Sequence, residues 1–245
     1  MKLLKDINPS RILFLDIETV PMVSSFDKMS PEFKVLWDKK SSFFRTEEQS
    51  AGDVFDRAGI YAEFGKIICI SVGIIKGQEN NMSLRIKSFF SHNEKELLDN
   101  FSIMLNNFST GREAMLCAHN GKEFDYPFIA RRMIINGLRI PAILDNAGKK
   151  PWEINLLDTM ELWKFGDYKN YTSLELIAGL LEVPTPKDDI DGSMVAETYW
   201  KENDINRIAR YCEKDVIALT QVFLKFRNNN TIPGEKIESV TQFID

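Results

Sequence analysis

Residues 11–20, RILFLDIETV, form the segment around which the chain is organised. The apolar run from Ile12 to Leu15 predicts a central strand that is buried on both faces. Because side chains alternate across a strand, Asp16 and Glu18 project from the same face at its end. Two carboxylates in a poorly hydrated place are costly unless protons or a cation compensate them. An isolated Asp-x-Glu motif is also compatible with Asp16 as a turn cap and Glu18 as a solvated side chain. Other residues of the chain are needed to discriminate between these interpretations.

Length and composition place the chain among soluble globular proteins. With 245 residues it can form one large domain or two small ones, and its 44% apolar and 27% charged residues are ordinary. The longest apolar run, residues 67–75, is too short to span a membrane, and the N-terminus has no signal-peptide core. We therefore expect no membrane interaction.

The cysteine content indicates the redox environment of the protein, and the net charge limits how it could bind nucleic acid. Cys69, Cys117 and Cys212 lie in apolar segments, and an odd number argues against a disulfide framework. We expect buried thiols in a protein of the reducing cytoplasm. The net charge of −5 provides no general attraction to nucleic acid, so any nucleic-acid binding must come from a local site.

The remaining hydrophobic patterns predict four more strands and several helices. Strand patterns occupy residues 67–75, 82–90, 114–118 and 153–159. Helical periodicity occupies residues 97–108, 125–137, 172–181, 194–200 and 204–227. This order predicts a mixed sheet covered by helices.

Two segments stand apart from that pattern. Residues 21–64 form an insertion in which Ser30 and Pro31 are typical of a helix start. It is either a structured insertion that takes no part in catalysis or a flap beside the site of Asp16. Four phenylalanines indicate that it packs down, namely Phe26, Phe43, Phe44 and Phe55. Residues 228–245 are predicted to be a peripheral tail.

Two later carboxylates are candidate functional groups. Asp125 lies between the strand at 114–118 and a helix, in the same predicted sheet as Asp16. It is either a helix cap or one of the groups that gather at strand ends in such sheets. Asp215 lies beside the apolar stripe of the last long helix, one turn after Tyr211. An acid so close to core residues needs a partner, which a metal ion would supply.

The four carboxylates together indicate a metal site. Oxygen ligands without a histidine or cysteine cluster select Mg²⁺ or Mn²⁺ rather than zinc. Two such ions would hold a phosphodiester for in-line hydrolysis. The tyrosine one turn before Asp215 could then hold the attacking water.

Three short motifs, each weak alone, occur in order along the chain. They are D-x-E at residues 16–18, N-x-x-x-F-D at 120–125 and Y-x-x-x-D at 211–215. This ordered set, with its flanks, resembles the tyrosine-bearing (DEDDy) branch of the DEDD 3′–5′ exonucleases. More narrowly, the chain resembles free-standing relatives of the proofreading exonuclease domain of family B DNA polymerases.

The resemblance implies a fold and an activity. The fold would be the α/β ribonuclease H-like fold, with a five-stranded mixed sheet flanked by helices. A single domain would cover residues 1–227, with the insertion at 21–64 and a tail at 228–245. The activity would be 3′–5′ hydrolysis of phosphodiester bonds from the 3′ end of single-stranded DNA, using two Mg²⁺ or Mn²⁺ ions and releasing nucleoside 5′-monophosphates.

The resemblance also implies roles for individual residues. Asp16, Glu18 and Asp215 would hold one metal ion. Asp16 would also hold the second ion, and Asp125 would act largely through water. Tyr211 would orient the nucleophile. The residues implied to contact the terminal nucleotide are Thr19, Asn120 and Phe124.

Other functions stay open. The same metal chemistry cuts RNA, and the sequence shows no contact to a 2′-hydroxyl that would discriminate the two substrates. An inactive nucleic-acid-binding module would keep the sheet, although all four acids and Tyr211 are intact. A sugar-phosphate kinase-like domain would need a glycine-rich phosphate loop, and the sequence has none.

A mixture of basic and aromatic residues is a weaker indication. Such a mixture is typical of grooves for single-stranded nucleic acid, where cations contact phosphates and rings stack on bases. Many solvated surfaces have the same composition. The residues concerned are Arg131, Arg132, Trp163, Lys164, Phe165, Tyr168, Lys169 and Tyr171.

Overall fold

A mixed sheet forms the centre of the protein in the computed structural model, which describes residues 4–77, 81–110, 113–167, 171–184 and 190–244. The strands are β1 (Ile12–Pro21), β2 (Gly65–Lys76), β3 (Ser83–Phe90), β4 (Met115–Ala118), β5 (Leu156–Asp158) and β6 (Ile237–Ser239). Their order is β5-β4-β1-β2-β3-β6. β1 lies between a parallel neighbour, β4, and an antiparallel neighbour, β2. The first segment singled out in the sequence is therefore an interior strand.

The sheet has six strands, one more than predicted. β6 pairs in parallel with β3, with Ile237 opposite Leu84. It has only three residues, two of them exposed, so it has neither the buried run nor the alternation by which a strand is recognised. The tail is therefore not peripheral. The division of the chain at residue 227 into a domain and a tail stays a prediction.

Seven α-helices lie in the described residues. They are α1 (Pro31–Ser41), α2 (Glu94–Ser109), α3 (Asp125–Ile135), α4 (Thr159–Lys164), α5 (Leu174–Leu180), α6 (Val195–Glu197) and α7 (Ile205–Phe226). A π-helical turn follows α6. Among these described helices, none combines the length and apolar character needed to cross a membrane.

The two faces of β1 meet different helices. Leu13 and Leu15 belong to a core cluster with α2 and α3. Phe14 belongs to a cluster with α7, and its ring packs edge-on against Phe223 at a centroid distance of 5.3 Å. Because β1 alternates, its acids at even-numbered positions project from the face that α7 covers.

The long helix α7 lies close against the sheet. Its N-cap is Asp204, whose side chain accepts a hydrogen bond from the backbone N–H of Arg207, so its extent agrees with the predicted helix at 204–227. It packs against β1, β2 and β3. A Cβ atom added at Gly73 of β2 would lie 2.9 Å from Cγ1 of Val216, closer than real Cβ contacts allow. Glycine at this position lets the helix approach the strands.

The insertion folds around its own small core. Trp37 of α1 is fully buried, and its Nε1–H donates to the carbonyl of Ala51 at 2.8 Å. The backbone N–H of Met22 donates to the carbonyl of Phe64 at 2.9 Å and closes the two ends of the insertion. Packing of the segment is thus confirmed except at Phe43, which is 82% exposed and lies outside this core, whereas the ring of the next residue, Phe44, packs against Trp37.

A buried ion pair ties the insertion to the helices. The guanidinium of Arg132 on α3 donates to both carboxylate oxygens of Glu94 on α2, at 2.8 and 2.5 Å. It also donates to the carbonyl of Ala62 at 2.9 Å. Arg132 is therefore a buried structural residue and does not belong to a basic surface. Removing either partner would leave an uncompensated buried charge, which is strongly destabilising.

The C-terminal strap, residues 237–244, runs along β3 and one face of α7. Three residues on that helix face contact it, namely Asn206, Arg210 and Glu213. The carboxylate of Glu213 is buried and accepts hydrogen bonds from Ser88 at 3.1 Å, from Ser239 at 2.9 Å and from Thr241. This acid therefore joins the strap to β3 and α7.

Glu213→Ala is expected to destabilise the protein by about 1–3 kcal/mol, because three hydroxyl groups lose their shared buried acceptor. Urea unfolding followed by circular dichroism measures the loss, and limited proteolysis of the strap should become faster. The control is Glu238→Ala on β6, whose side chain is exposed and which we expect to change stability by less than about 0.5 kcal/mol. An unchanged unfolding midpoint for Glu213→Ala would show that this carboxylate does not hold the strap.

Candidate functional site

The acids of β1 lie under α7. Asp16 is half-buried and pairs with Ser71 across the sheet, while Glu18 is 8% exposed and pairs with Cys69. The pairing register shifts immediately after Glu18, so that half-buried Thr19 lies opposite Ile67. Such a bulge redirects the strand and its side chains where it occurs. The D-x-E pair therefore lies at the point where the regular ladder of β1 is interrupted.

α7 brings a tyrosine and a third acid to the same place. Tyr211 and Asp215 are one turn apart, and the phenol of Tyr211 donates a hydrogen bond to the carboxylate of Asp215. Burial, and then the charges of Asp215 and Glu18, raise the pKa of Tyr211 well above its usual value. The phenol is therefore neutral at physiological pH, and it can donate a hydrogen bond but cannot serve as a base.

The loop before α3 is held by an acid at the end of β5. Asp158 is 2% exposed and accepts hydrogen bonds from the backbone N–H groups of Asn120 at 2.9 Å and Lys122 at 3.1 Å. It also caps α4 through the N–H groups of Met160 and Glu161. With its oxygens directed at N–H groups, Asp158 fixes the loop that leads to Asp125.

Asp125 enters the site from the first turn of α3. The N-cap position belongs to Phe124, so Asp125 is the first helical residue and its alternative interpretation as the cap is wrong. Its side chain is 3% exposed and accepts a hydrogen bond from the backbone N–H of Ile17, between the two acids of β1. Burial is the main cause that raises the pKa of Asp125 to about 8.

The four carboxylates are mutually destabilising when ionised. Burial and then the charges of Asp215 and Asp125 raise the pKa of Asp16 well above its usual value. Burial and then the charges of Asp16 and Asp215 do the same for the pKa of Glu18. Acids from β1, α3 and α7 thus converge into one cluster, whose ionised form needs a compensating positive charge.

The donor set fits a hard divalent cation. A carboxylate oxygen of Asp16, one of Glu18 and the Sγ atom of Cys212 lie within 4.8 Å of one another. The sulfur is 3.4 Å from Oδ2 of Asp16, and burial raises the pKa of Cys212 well above its usual value. The thiol is therefore neutral and donates to the carboxylate. Oxygen ligands remain, which Mg²⁺ and Mn²⁺ prefer.

Two other residues implied to contact substrate lie in the loop that leads to Asp125. Asn120 has a left-handed backbone conformation (φ 59°), and its Oδ1 atom is buried without a hydrogen-bond partner in the described part of the chain. Phe124 is half-buried, and its ring packs against Phe128 at a centroid distance of 5.4 Å. A buried acceptor without a partner and a partly accessible ring are the groups that a bound nucleotide could use.

Two residues of the site were not predicted from the sequence. The sequence pattern placed Asp158 only within the predicted strand at residues 153–159, and its function in holding a loop depends on tertiary contacts. Cys212 was predicted as a buried thiol, which is confirmed, but its contact with Asp16 was not. Its position directly after Tyr211, in the third motif, is the signal that could have placed it there.

The predicted basic and aromatic mixture is only partly a surface. Trp163 stacks on Phe226 at a centroid distance of 5.8 Å and contributes to the core. Phe165 and Tyr171 are exposed. Tyr168 and Lys169 lie outside the described residues.

Comparison with known proteins identifies a related family. A family model described as "Predicted 3'-5' exonuclease related to the exonuclease domain of PolB" matches residues 60–241, more than half of the chain. The match includes Asp125, Tyr211 and Asp215 and begins after the acids of β1. No curated protein sequence matches the chain significantly.

A solved structure shows the same architecture. The family B DNA polymerase from the hyperthermophilic archaeon Pyrobaculum calidifontis superimposes with a TM-score of 0.54 at 15% sequence identity. The alignment covers 87% of this chain and 24% of the polymerase, so the chain spans about a quarter of that protein. At this identity the similarity concerns the fold, which is the ribonuclease H-like fold of such exonuclease domains. With the family match, it follows that the chain belongs to the family of predicted 3′–5′ exonucleases related to the exonuclease domain of PolB.

Proposed function

We propose that the protein hydrolyses single-stranded DNA from its 3′ end with two divalent metal ions and releases nucleoside 5′-monophosphates. The observation that carries this proposal is the convergence of four carboxylates from three separate elements. Burial and neighbouring acids raise the pKa values of Asp16 and Glu18, and burial is the main cause that raises the pKa of Asp125. Such a cluster is costly to the folded protein unless cations bind there. Metal binding by these acids would explain why the folded protein has a cluster with this energetic cost.

The acids have distinct proposed tasks. Asp16, Glu18 and Asp215 would hold one Mg²⁺ or Mn²⁺ ion, Asp16 would also hold the second, and Asp125 would act largely through water. When bound, these ions would supply Lewis-acid stabilisation of the phosphate and a nucleophilic water at neutral pH. The thiol of Cys212 would orient the Asp16 carboxylate by donating to Oδ2.

Tyr211 would position the attacking water. Its phenol is neutral, because its pKa is well above the usual value, and it points toward Asp215. A neutral O–H group can hold a water in line with the phosphate without competing for the metal ions. Its contribution is therefore one of orientation.

Thr19, Asn120 and Phe124 would bind the terminal nucleotide. The Oδ1 atom of Asn120 has an unused accepting position, and the ring of Phe124 is partly accessible. An unpaired end suits these groups, because a base must leave a duplex before it can contact them. The formal charge of −5 favours a small local site over extended contacts with a duplex.

Digestion of 5′-labelled oligonucleotides tests the proposal. We expect a ladder that shortens from the 3′ end on single-stranded DNA with Mg²⁺ or Mn²⁺, and no products with EDTA. A blunt duplex should be cut more slowly. No cleavage of any substrate would favour the inactive binding module, and a clear preference for the matching RNA would favour an RNA 3′ exonuclease.

Tyr211→Phe is expected to lower kcat by about 10²-fold with little change in the metal concentration that gives half-maximal activity. The variant loses the hydroxyl that positions the water, and the lost orientation costs a few kcal/mol. Steady-state kinetics over a Mn²⁺ titration measure both quantities. If metal affinity collapses while kcat at saturation is preserved, the proposed role of Tyr211 is wrong.

A further inference from the structure

An exposed aromatic residue stands directly beside the proposed nucleotide subsite. Tyr171 is 70% exposed, and its hydroxyl oxygen lies 3.5 Å from Nδ2 of Asn120. A large ring exposed to this degree contributes little to the stability of the fold. Its position next to Asn120 instead places it where it can contact a bound substrate.

The backbone around Tyr171 is anchored although its ring is exposed. The next residue, Thr172, accepts a hydrogen bond at its carbonyl from Nε2 of His119, at 2.9 Å. The other ring nitrogen of His119 is 2.9 Å from Oγ1 of Thr159. Ser173 then caps α5 by accepting from the N–H of Leu176. The backbone that carries the ring is thus anchored beside the loop of Asn120.

The polar and aromatic groups at this place complement one nucleotide base. Oδ1 of Asn120 is a buried acceptor without a partner in the described part of the chain, which suits a donor group of a ligand. The neighbouring ring of Tyr171 offers a flat apolar face. Stacking of a base on an exposed aromatic ring is the common means of binding single strands without sequence preference.

From this arrangement we propose that Tyr171 is the stacking platform for an unpaired base at the 3′ end of the substrate. The inference rests on the proposed function and deepens it, because it names a residue that makes the site selective for single strands. In a blunt duplex the terminal base is paired with its complement and stacked on its inner neighbour, so it can lie on the platform only after the strand end has unpaired.

Two variants separate the ring from the hydroxyl. Tyr171→Ala should raise KM on single-stranded DNA about tenfold, since a stacked base is worth roughly that much or more, with kcat within about twofold. The preference for single strands over blunt duplex should narrow by a similar factor. Tyr171→Phe, which keeps the ring, should recover most of the lost affinity.

Trp152→Ala is the matched control. Trp152 is 77% exposed, but it precedes β5, whose opposite end carries Asp158 at the site. Removing this ring should leave KM, kcat and strand preference unchanged. An equal effect of both alanine variants would indicate general loss of surface contacts and would overturn the proposal.

A direct probe of stacking uses oligodeoxynucleotides with 2-aminopurine at the last or the next-to-last position, bound in EDTA. Stacking quenches this fluorophore, so quenching at one of the two positions should be present in the wild type and lost in Tyr171→Ala. If Tyr171→Ala keeps both the quenching and the KM of an active wild type, this inference fails while the proposed function stands. A wild type that cleaves no nucleic acid would instead refute the proposed function.

Discussion

Asp215→Asn is expected to lower kcat by at least about 10³-fold, equivalent to about 4 kcal/mol of transition-state stabilisation, while the protein stays folded. In the proposed mechanism Asp215 shares one ion with Asp16 and Glu18, so its loss dismantles the ion's ligand set. Asparagine has nearly the same shape, and it removes one of the charges that raise the pKa values of Asp16 and Glu18. Digestion of 5′-labelled single-stranded DNA with Mg²⁺ measures kcat, and circular dichroism checks the fold. Asp16→Ala should have an equally large effect.

Glu161→Gln is the control for this experiment. Glu161 lies on α4, close to the loop that precedes α3, but its carboxylate is exposed and pairs with Lys122 of that loop at 2.5 Å. We expect activity within about twofold of the wild type, because an exposed ion pair contributes little. Activity of Asp215→Asn within tenfold of the wild type would contradict the metal-ligand assignment.

Periodicity was sufficient to place the acids on the same side of the sheet. The even-numbered positions of β1 face α7, as strand alternation requires, and Tyr211 and Asp215 lie one turn apart as helix geometry requires. Local rules fix these relations. The meeting of β1 with α7 depends instead on the close approach at Gly73, which no local pattern predicts.

The missed features all depend on contacts between distant parts of the chain. Asp158 binds backbone N–H groups near residue 120, and Arg132 is buried only because Glu94 and Ala62 meet it. A charged residue looks the same in sequence whether its partner is water or a buried carboxylate. β6 likewise forms a strand only by pairing with the edge of β3. Its three residues are too few to show a hydrophobic periodicity, so the sequence alone does not predict it.

The stability of the metal-free protein is expected to fall as the pH rises from about 5 to about 8. In the folded state the pKa of Asp125 is about 8, and the pKa values of Asp16 and Glu18 are also raised. In the unfolded chain such groups titrate near pH 4. Their protonation therefore stabilises the folded protein at low pH, and this contribution is lost as the pH rises through the folded-state values. Thermal scans in EDTA at several pH values measure the trend.

Mg²⁺ or Mn²⁺ should reverse that trend, because the ions bind the ionised cluster and compete with protons. At pH 8, one site at ten times its dissociation constant contributes about 1.4 kcal/mol. For a protein of this size the melting temperature should rise by roughly 3–6 °C. At pH 5.5 the same ion concentration should have a much smaller effect. An equal rise at both pH values would mean that the ions bind away from these acids.

Asp16→Asn should separate two effects of the Asp16 carboxylate, namely charge repulsion in the metal-free protein and metal binding. The variant removes a charge that raises the pKa of Glu18, so in EDTA at pH 8 it should melt no lower than the wild type. It also removes the ligand proposed to be shared by both ions, so the metal-induced rise should vanish. A variant that merely damaged the fold would melt lower in EDTA as well. Thermal scans of both proteins at pH 8, with EDTA and with Mn²⁺, measure the four melting temperatures. A full metal-induced rise in Asp16→Asn would place the ions elsewhere and remove the physical reason for clustering these acids at the end of β1.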